Sequence, residues 1–440
     1  MEISYLLPKK IGKLMSTIFL LIFLGTYTTT TLNAQTDTSI VAINGQVVNI
    51  TTGAPIIAAS IQEVNSNTST ITNTEGAFLL KIDNTETIVL KIDALGFKPK
   101  TINVSKDNAK DLRISLQTAS IELTEVNITS YKDARDLVDK VFEKKRSNYI
   151  ENKTLMTTFY RETIKKRNKN ASLAEAVLNV YKQPYGDSRE DVIKLVKSRK
   201  NTDYSKLDTI ALKLQGGPFS TLYIDLMKYP EYVFTSYTME GYDFEFGPSS
   251  EINGTPVYTV NFKQKDNVID PLYNGKLYIN TNSLALVKAT FNLNLSNQSE
   301  VIKLLVKRKP DNVRIKAKNI DYTVDYREKD GKWYYGYSKA NMTFEVKKRR
   351  RLFKSIYSLT CEMAVTDWEL FDNAQDWTSR DKLSSSIIMS DEASGFSDPK
   401  FWGEYNVIEP EKSIESAIRK IQRRLQKEEG KTEASVGKKP

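Results

Sequence analysis

"IDYTVDYREKDGKWYYGYSKANMTFEV", residues 320–346, decides the fold class. Ile320, Tyr322, Val324 and Tyr326 alternate with Asp321, Thr323, Asp325 and Arg327. A period of two puts the apolar set on one face of an extended strand and the polar set on the other. Asp330-Gly331 then supplies a residue pair suited to a tight hairpin turn, and the strand pattern resumes from Trp333 to Val346. Two long antiparallel strands joined at their tips are the expected product.

The same pattern extends in both directions. Ala285, Val287, Ala289, Phe291, Leu293 and Leu295 alternate with Lys288, Thr290, Asn292 and Asn294, which predicts a strand with one buried and one wet face. Lys347, Lys348, Arg349, Arg350 and Arg351 fall where the next turn is needed, before a strand from Phe353 to Val365. Upstream, strands Met156–Lys165 and Ala174–Lys182 flank a polar KRNKNAS turn, and a charged stretch to about Lys206 lacks clear periodicity. In LQGGPFSTLYIDLMKYP, residues 214–230, Gly-Gly-Pro opens a short helix that stops before Pro230. Those glycines form no phosphate loop, because the Lys-Ser/Thr of a Walker motif and the G-x-G-x-x-G frame are both missing.

Two amphipathic helices frame this domain, which spans residues 131–425. Ser130 with Asp133 makes a capping-box-like start, and Ala134, Leu137, Val138, Val141 and Phe142 share one helical face. A closing helix runs from Ser413 to about Leu425, with Ile414, Ala417, Ile418, Ile421 and Leu425 on one side. The Lys/Glu/Gly-rich tail, 426–440, has the composition of a disordered segment.

Residues 43–118 read as a separate all-β module. Short runs rich in Val, Ile and Thr recur at roughly ten-residue spacing, with turn signals at Thr52-Gly53-Ala54-Pro55, Thr74-Glu75-Gly76 and Leu95-Gly96-Phe97. The runs Ile43–Ile50, Ala58–Val64, Ser69–Thr72, Ala77–Ile82, Thr87–Ile92, Lys100–Val104 and Asp111–Leu116 predict a seven-stranded sandwich. The order INGQVVNITTGAPIIAASIQ, TSTITNTEGAFLLKI, TIVLKIDALGFKPKTINV resembles the carboxypeptidase-regulatory-like domain, a prealbumin-like sandwich found on many exported proteins of Bacteroidetes. IELTEVNITS, residues 121–130 within a linker at 119–130, is similar to the stretch that often joins this module to a TonB-dependent outer-membrane transporter or a related domain. That resemblance implies a partner in the outer membrane.

Export is also the expectation from the leader. Lys9, Lys10 and Lys13 precede an apolar run from Met15 to Gly25, and Leu32-Asn33-Ala34 ends in a small residue, so cleavage is expected after Ala34. The apolar run is shorter than the ~20 residues of a bilayer span. No Cys follows it to carry a lipid anchor.

Composition narrows the chemistry. The 440 residues contain no histidine, which excludes His-based triads, His-ligated zinc sites and His acid/base catalysis, including the zinc carboxypeptidase reaction named by the resemblance. Cys361, the single cysteine, cannot form an intrachain disulfide and alternates with Leu359 and Met363 as a core residue would. No cofactor or metal set is expected. Asp243 and Glu245 share one face in EGYDFEFG and are a candidate carboxylate pair, although plain polar-out alternation accounts for them.

The net charge of +10 favours an anionic partner such as a lipid headgroup or envelope surface. Lys347–Arg351 is the densest candidate for that contact, and Trp333, Tyr335 and Tyr337 are candidates for aromatic stacking on a ligand. Nucleic acid is disfavoured by export. GKLYINTNSLALVKATF, residues 275–291, within a helix-opened antiparallel meander, resembles lipoprotein-carrier-like half-barrels, a likeness that implies a concave face able to hold acyl chains. The expected fold is therefore mainly β: a seven-stranded sandwich plus a larger curved antiparallel sheet with a few packed helices. The expected function is a non-enzymatic exported scaffold or hydrophobic-ligand holder at the periplasm or outer membrane. A carbohydrate binder or carboxylate hydrolase, and an outer-membrane barrel, are the alternatives.

Overall fold

The structure is a computed structural model and describes residues 40–119, 131–202, 216–306, 312–349, 353–371, 382–389 and 401–416, apart from Glu86, Asn168, Asn253 and Ser413. The leader with Ala34, nearly all of the 119–130 linker, Arg350, Arg351, the closing helix beyond Ser416 and the tail lie outside the described residues.

Strands β1 (Val41–Asn49), β2 (Ser60–Glu63), β3 (Ser69–Ile71), β4 (Ala77–Ile82), β5 (Ile88–Asp93), β6 (Lys100–Val104) and β7 (Leu112–Leu116) form the N-terminal module. They make a three-stranded sheet, β4-β1-β7, and a four-stranded sheet, β3-β2-β5-β6. The alternating Phe78, Leu80 and Ile82 of β4 meet Ile61, Leu90 and Ile92 of the other sheet in one core, so the seven-stranded sandwich forms as its pattern predicts. Its Thr74-Glu75-Gly76 turn needs glycine: Gly76 has φ +71°, and a Cβ there would stand 2.5 Å from the Val47 carbonyl oxygen.

The large sheet contains β8 (Thr154–Lys166), β9 (Lys169–Lys182), β10 (Val192–Thr202), β11 (Tyr242–Phe246), β12 (Ser250–Ile252), β13 (Thr255–Gln264), β14 (Tyr273–Asn280), β15 (Leu286–Leu293), β16 (Val313–Lys329), β17 (Lys332–Lys348) and β18 (Ser355–Leu370). Their order is β10-β9-β8-β18-β17-β16-β15-β14-β13-β11, with β12 also paired to β13. The path ends at β10 and β11, and among the described residues these two strands do not pair. At the tip of the β16–β17 hairpin Lys329 stands opposite Lys332, and Asp330 and Gly331 take φ values of +52° and +75°. Those are the conformations a two-residue hairpin of matching twist requires.

One face of this sheet is filled by the chain itself. Helix α1 (Ala134–Glu143) contributes Ala134, Leu137, Val138 and Val141, and the segment after the Gly-Gly-Pro turn contributes Phe219, Leu222, Leu226, Met227 and Phe234 to the main core. The helix starts three residues later than the Ser130 cap predicts: Asp133 is the N-cap, its side chain accepting from Asp136 N at 2.8 Å, and Ser130 lies outside the described residues. The Gly-Gly-Pro turn yields only one helical turn, Phe219–Leu222, because Ile224 to Tyr229 continue as tight turns that bury both sides of the segment.

The other face is covered as well, which corrects the expectation of one wet face per strand. Phe159, Val177, Tyr337 and Ala364 pack there against Ile71 of the sandwich and Trp402, Val407 and Ile408 of the C-terminal segment. In β17 the run Trp333 to Ser338 is buried without interruption. A period of two persists where only one face is covered, as in Thr343–Val346.

Candidate functional site

The sandwich is joined to the large sheet through a polar seam. Ser69 Oγ donates to Val365 O at 3.1 Å, Asn67 Nδ2 to Trp368 O at 2.7 Å, and Gln62 Nε2 to Tyr334 Oη at 3.3 Å. The Asn406 side chain replaces a neighbouring strand along the β4 edge, accepting from Lys81 N at 2.6 Å and donating to Lys81 O at 2.8 Å. Arg327, two residues beyond Asp325 in β16 and opposite Tyr334 in the hairpin, reaches across, its Nη1 donating to Val365 O at 2.9 Å and to Ser69 Oγ.

A cavity of about 100 Å³ lies within this seam, lined by Ser60, Lys91 and Asp93 from the sandwich and by Lys288, Asp325 and Arg327 from the sheet, with Trp333 and Tyr337 as aromatic wall. Strand register explains the grouping. Ser60 and Asp93 are opposite partners in the β2–β5 ladder, so their side chains stand together on one face. Lys288 and Asp325 are partners between β15 and β16, with Nζ to Oδ1 at 2.6 Å. Arg327 lies over Gly336, where a Cβ would come within 2.7 Å of the arginine Cγ. The hairpin register slips by one residue beside that glycine, leaving the groove in which the arginine stem rests.

Three buried polar atoms of these residues have no hydrogen-bond partner among the described residues: Ser60 Oγ, Asp93 Oδ1 and Arg327 Nη2. Arg327 is 7% exposed and Asp93 5%. Burial pushes the Asp93 carboxyl above its ordinary range, against the pull of Lys91, whose Nζ is 3.5 Å from Oδ2, and of Arg327. Burial likewise lowers Arg327, opposed by Tyr334 and Asp325. An unpaired buried donor or acceptor costs about 1–3 kcal/mol, so these residues make the seam a strained part of the fold.

Two buried ion clusters flank the sheet's first strands. On the core face Lys182 pairs with Asp191 and Asp225, each at 2.8 Å, within an enclosure of Tyr185, Tyr229 and Tyr335. On the opposite face Glu175 accepts from Arg161 Nε and Arg199 Nε, both at 2.7 Å. Every charge in these clusters has a counter-charge; the Glu175 cluster ties β8, β9 and β10 together, and the Lys182 cluster ties the end of β9 to Asp191 just ahead of β10 and to the Asp225 segment.

The residues singled out by sequence fare differently. Trp333, Tyr335 and Tyr337 are buried, so they offer no exposed stacking platform; Tyr335 Oη and Ser338 Oγ bond each other at 2.6 Å, and Tyr337 Oη donates to Glu362. Trp333 and Tyr335 are buried in the main core, and Tyr337 in the cluster shared with Ile71 of the sandwich, although Trp333 and Tyr337 do border the cavity. Lys347 and Arg349 are exposed and Lys348 half-buried at the end of β17, a turn with Arg349 N bonded to Asn312 O. Asp243 and Glu245 are exposed on β11, while Tyr242, Phe244 and Phe246 pack on the core side. Among the described residues no cluster of three His, Cys, Asp or Glu side chains could hold a metal ion, and no helix is long and apolar enough to cross a membrane. Ser60, Asp93 and the role of Arg327 escaped the sequence reading; the interrupted polar face at Arg327-Glu328 opposite Trp333-Tyr334 was their only local trace.

Residues 43–128 match the family model of the CarboxypepD_reg-like domain, and the N-terminal sandwich is such a domain. No curated protein matches the chain. Among solved structures, the chain is similar to the crystal structure of a DUF1329 family protein from Desulfovibrio piger, at 12% sequence identity over 55% of this chain and 93% of that one, with a TM-score of 0.22.

Proposed function

We propose that this chain is a non-enzymatic, exported cell-envelope scaffold in which the sandwich is a fixed part of the body and not a tethered accessory. The observation that carries this reading is the seam: buried Ile71 packs with Phe159, Val177 and Trp402, and buried Arg327 bonds both modules at once. A recruiting module on a flexible tether has no need of a shared core with its neighbour. The scaffold is favoured over an acyl-chain holder because α1 and the Phe219–Phe234 segment occupy the sheet face that a lipid would need. Export rests on the leader, and the outer membrane, with a TonB-dependent system or an anionic lipid surface as partner, is where such a scaffold would work.

The test has two parts. Fractionation of the native cell followed by N-terminal sequencing is expected to find the chain in the envelope, beginning at Gln35. Calorimetry of the mature chain is expected to give one unfolding transition. A cytoplasmic chain with an intact leader sinks the export reading, and separate transitions for the two modules sink the fixed scaffold. Co-purification of stoichiometric acyl lipid from the envelope fraction would restore the lipid-holder reading in its place.

A further inference from the structure

We infer that one end of the large sheet, where β8, β9, β16, β17 and β18 lie side by side, is a docking surface for a bilayer of anionic lipid. The inference deepens the reading above, on which it rests for the compartment, by naming the face that meets the lipid. Adjacent strands bring their basic ends together here. β8 ends in Lys165-Lys166, and its turn into β9 carries Arg167 and Lys169. β17 ends in Lys347-Lys348, with Arg349 following, and β16 carries Arg314, Lys316 and Lys318 near its start. The tips of the β8–β9 and β17–β18 hairpins are tied together: Arg167 N donates to Ile356 O at 3.0 Å and Arg167 Nη2 to Lys354 O at 2.9 Å.

Register gathers much of this charge on one face. Arg314 stands opposite Lys347, Lys316 opposite Glu345, and Glu345 opposite Ile356. Among the described residues of 165–170, 312–318, 343–349 and 353–358, Glu345 is the one acidic side chain, and Lys354 at 2.8 Å and Lys318 at 3.7 Å already share it. Like charges directly opposite one another destabilise a sheet, so Arg314 and Lys347 are kept at a cost that an anionic partner would offset. Protection of an open edge does not account for the cations, because each of the five strands has a neighbour on both sides and the path ends elsewhere, at β10 and β11. Beside them Phe353 is 80% exposed and Ile356 37%. Apolar side chains within a basic patch suit a charged bilayer, whose headgroups neutralise the cations while the acyl boundary takes the ring. A soluble polyanion would leave Phe353 in water. The contact with the sandwich, at Tyr337 of β17 and Ala364 of β18, lies away from these strand ends, so docking leaves the seam closed.

The experiment uses the mature full-length chain and flotation with vesicles of phosphatidylcholine alone, or of phosphatidylcholine and phosphatidylglycerol in equal parts. Binding is expected with the anionic vesicles only, and is expected to fall as salt rises and screens the exposed charges. Arg314→Gln, Lys347→Gln and Arg349→Gln together should weaken it about a hundredfold, at about fivefold for each charge near the surface. Lys98→Gln, Lys106→Gln and Lys110→Gln remove the same charge from the sandwich and should leave binding within about threefold of the parent. Phe353→Ser should weaken it several-fold. Each substituted side chain is exposed, so the fold is retained, as a melting curve will show. The purified chain reports on the surface whatever its compartment, so a cytoplasmic chain with an intact leader would sink export without touching this result. Absence of binding to the anionic vesicles, an equal loss in both triple variants, or undiminished binding by Phe353→Ser would overturn the assignment. Binding of dextran sulfate without binding of vesicles would overturn it in favour of a soluble polyanion.

Discussion

Lys182 Nζ lies 2.8 Å from Asp191 Oδ2, with both side chains sealed from solvent and a second carboxylate, Asp225, equally close to the ammonium. Burial lowers the Lys182 pKa, yet the two aspartates outweigh it and the folded value is raised. Tyr326 Oη donates to Asp225 at 2.9 Å and Gln183 N to Asp191 at 2.7 Å, so the anions have partners beyond the lysine. Lys182→Met removes the cation paired with both carboxylates and should cost about 3–5 kcal/mol, read as a lower urea midpoint with an unchanged slope. A loss under about 1 kcal/mol would mean that water reaches the aspartates. Because the lysine pKa is raised, its stabilisation is complete below its unfolded value near 10.5 and disappears only as pH rises through the folded value.

Glu175 predicts the acid limb. Burial pushes its carboxyl up, but Arg161 and Arg199 together reverse the sign and hold it below the ordinary 4.5. Its stabilisation is therefore present above the unfolded value near 4.5 and lost as pH falls through the folded one. Asp93 and Glu409 act in the opposite sense, since burial raises both; whatever stability they add is complete below their unfolded values and lost as pH rises through the folded ones. Glu175→Gln should lower stability at pH 7 by about 3 kcal/mol and flatten the loss between pH 5 and about 3, measured by thermal melts across that range. Parallel curves for the variant and the parent would assign the acid limb to other carboxylates.

How far the sequence is legible depends on whether the deciding contacts are local. The Asp330-Gly331 turn is readable because its backbone requirement is met by the two residues themselves, and β4 because one face is buried and the other is not. β10 is hidden in a charged stretch because a register shift between Leu195 and Lys197 breaks the alternation, and because Arg199 within it is buried against Glu175. Arg327 shows the limit most clearly. It follows Asp325 on the same polar set, and only the sandwich, more than two hundred residues away in the chain, turns that wet face into a sealed one.

Cys361 should be inert in the folded chain. It is 1% exposed in the main core, and burial pushes its thiol far above the ordinary range, so thiolate is scarce at neutral pH. A thiol reagent is expected to label it only as fast as the protein unfolds, with the rate rising in urea in step with unfolding. Rapid, denaturant-independent labelling would show that β18 opens locally.

Gly336 offers the sharpest probe of the seam, because its role is to make room. An alanine Cβ there would stand 2.7 Å from Arg327 Cγ and 2.9 Å from Cδ, closer than such contacts allow. Either the arginine stem leaves its groove or β17 shifts away from β16, and both responses weaken the Nη1 bonds to Val365 and Ser69. Gly336→Ala should therefore cost about 1–3 kcal/mol, as overpacking does in closed cores. The loss should appear first as faster amide exchange at Ser69 and its neighbours in β3, while the Lys182 cluster on the opposite face stays protected. If exchange instead rises evenly over the whole sheet, Gly336 serves strand pairing alone and the arginine is held by other means. If Arg327→Ala added to Gly336→Ala returns the lost stability, the clash with the arginine stem is the cause of the cost.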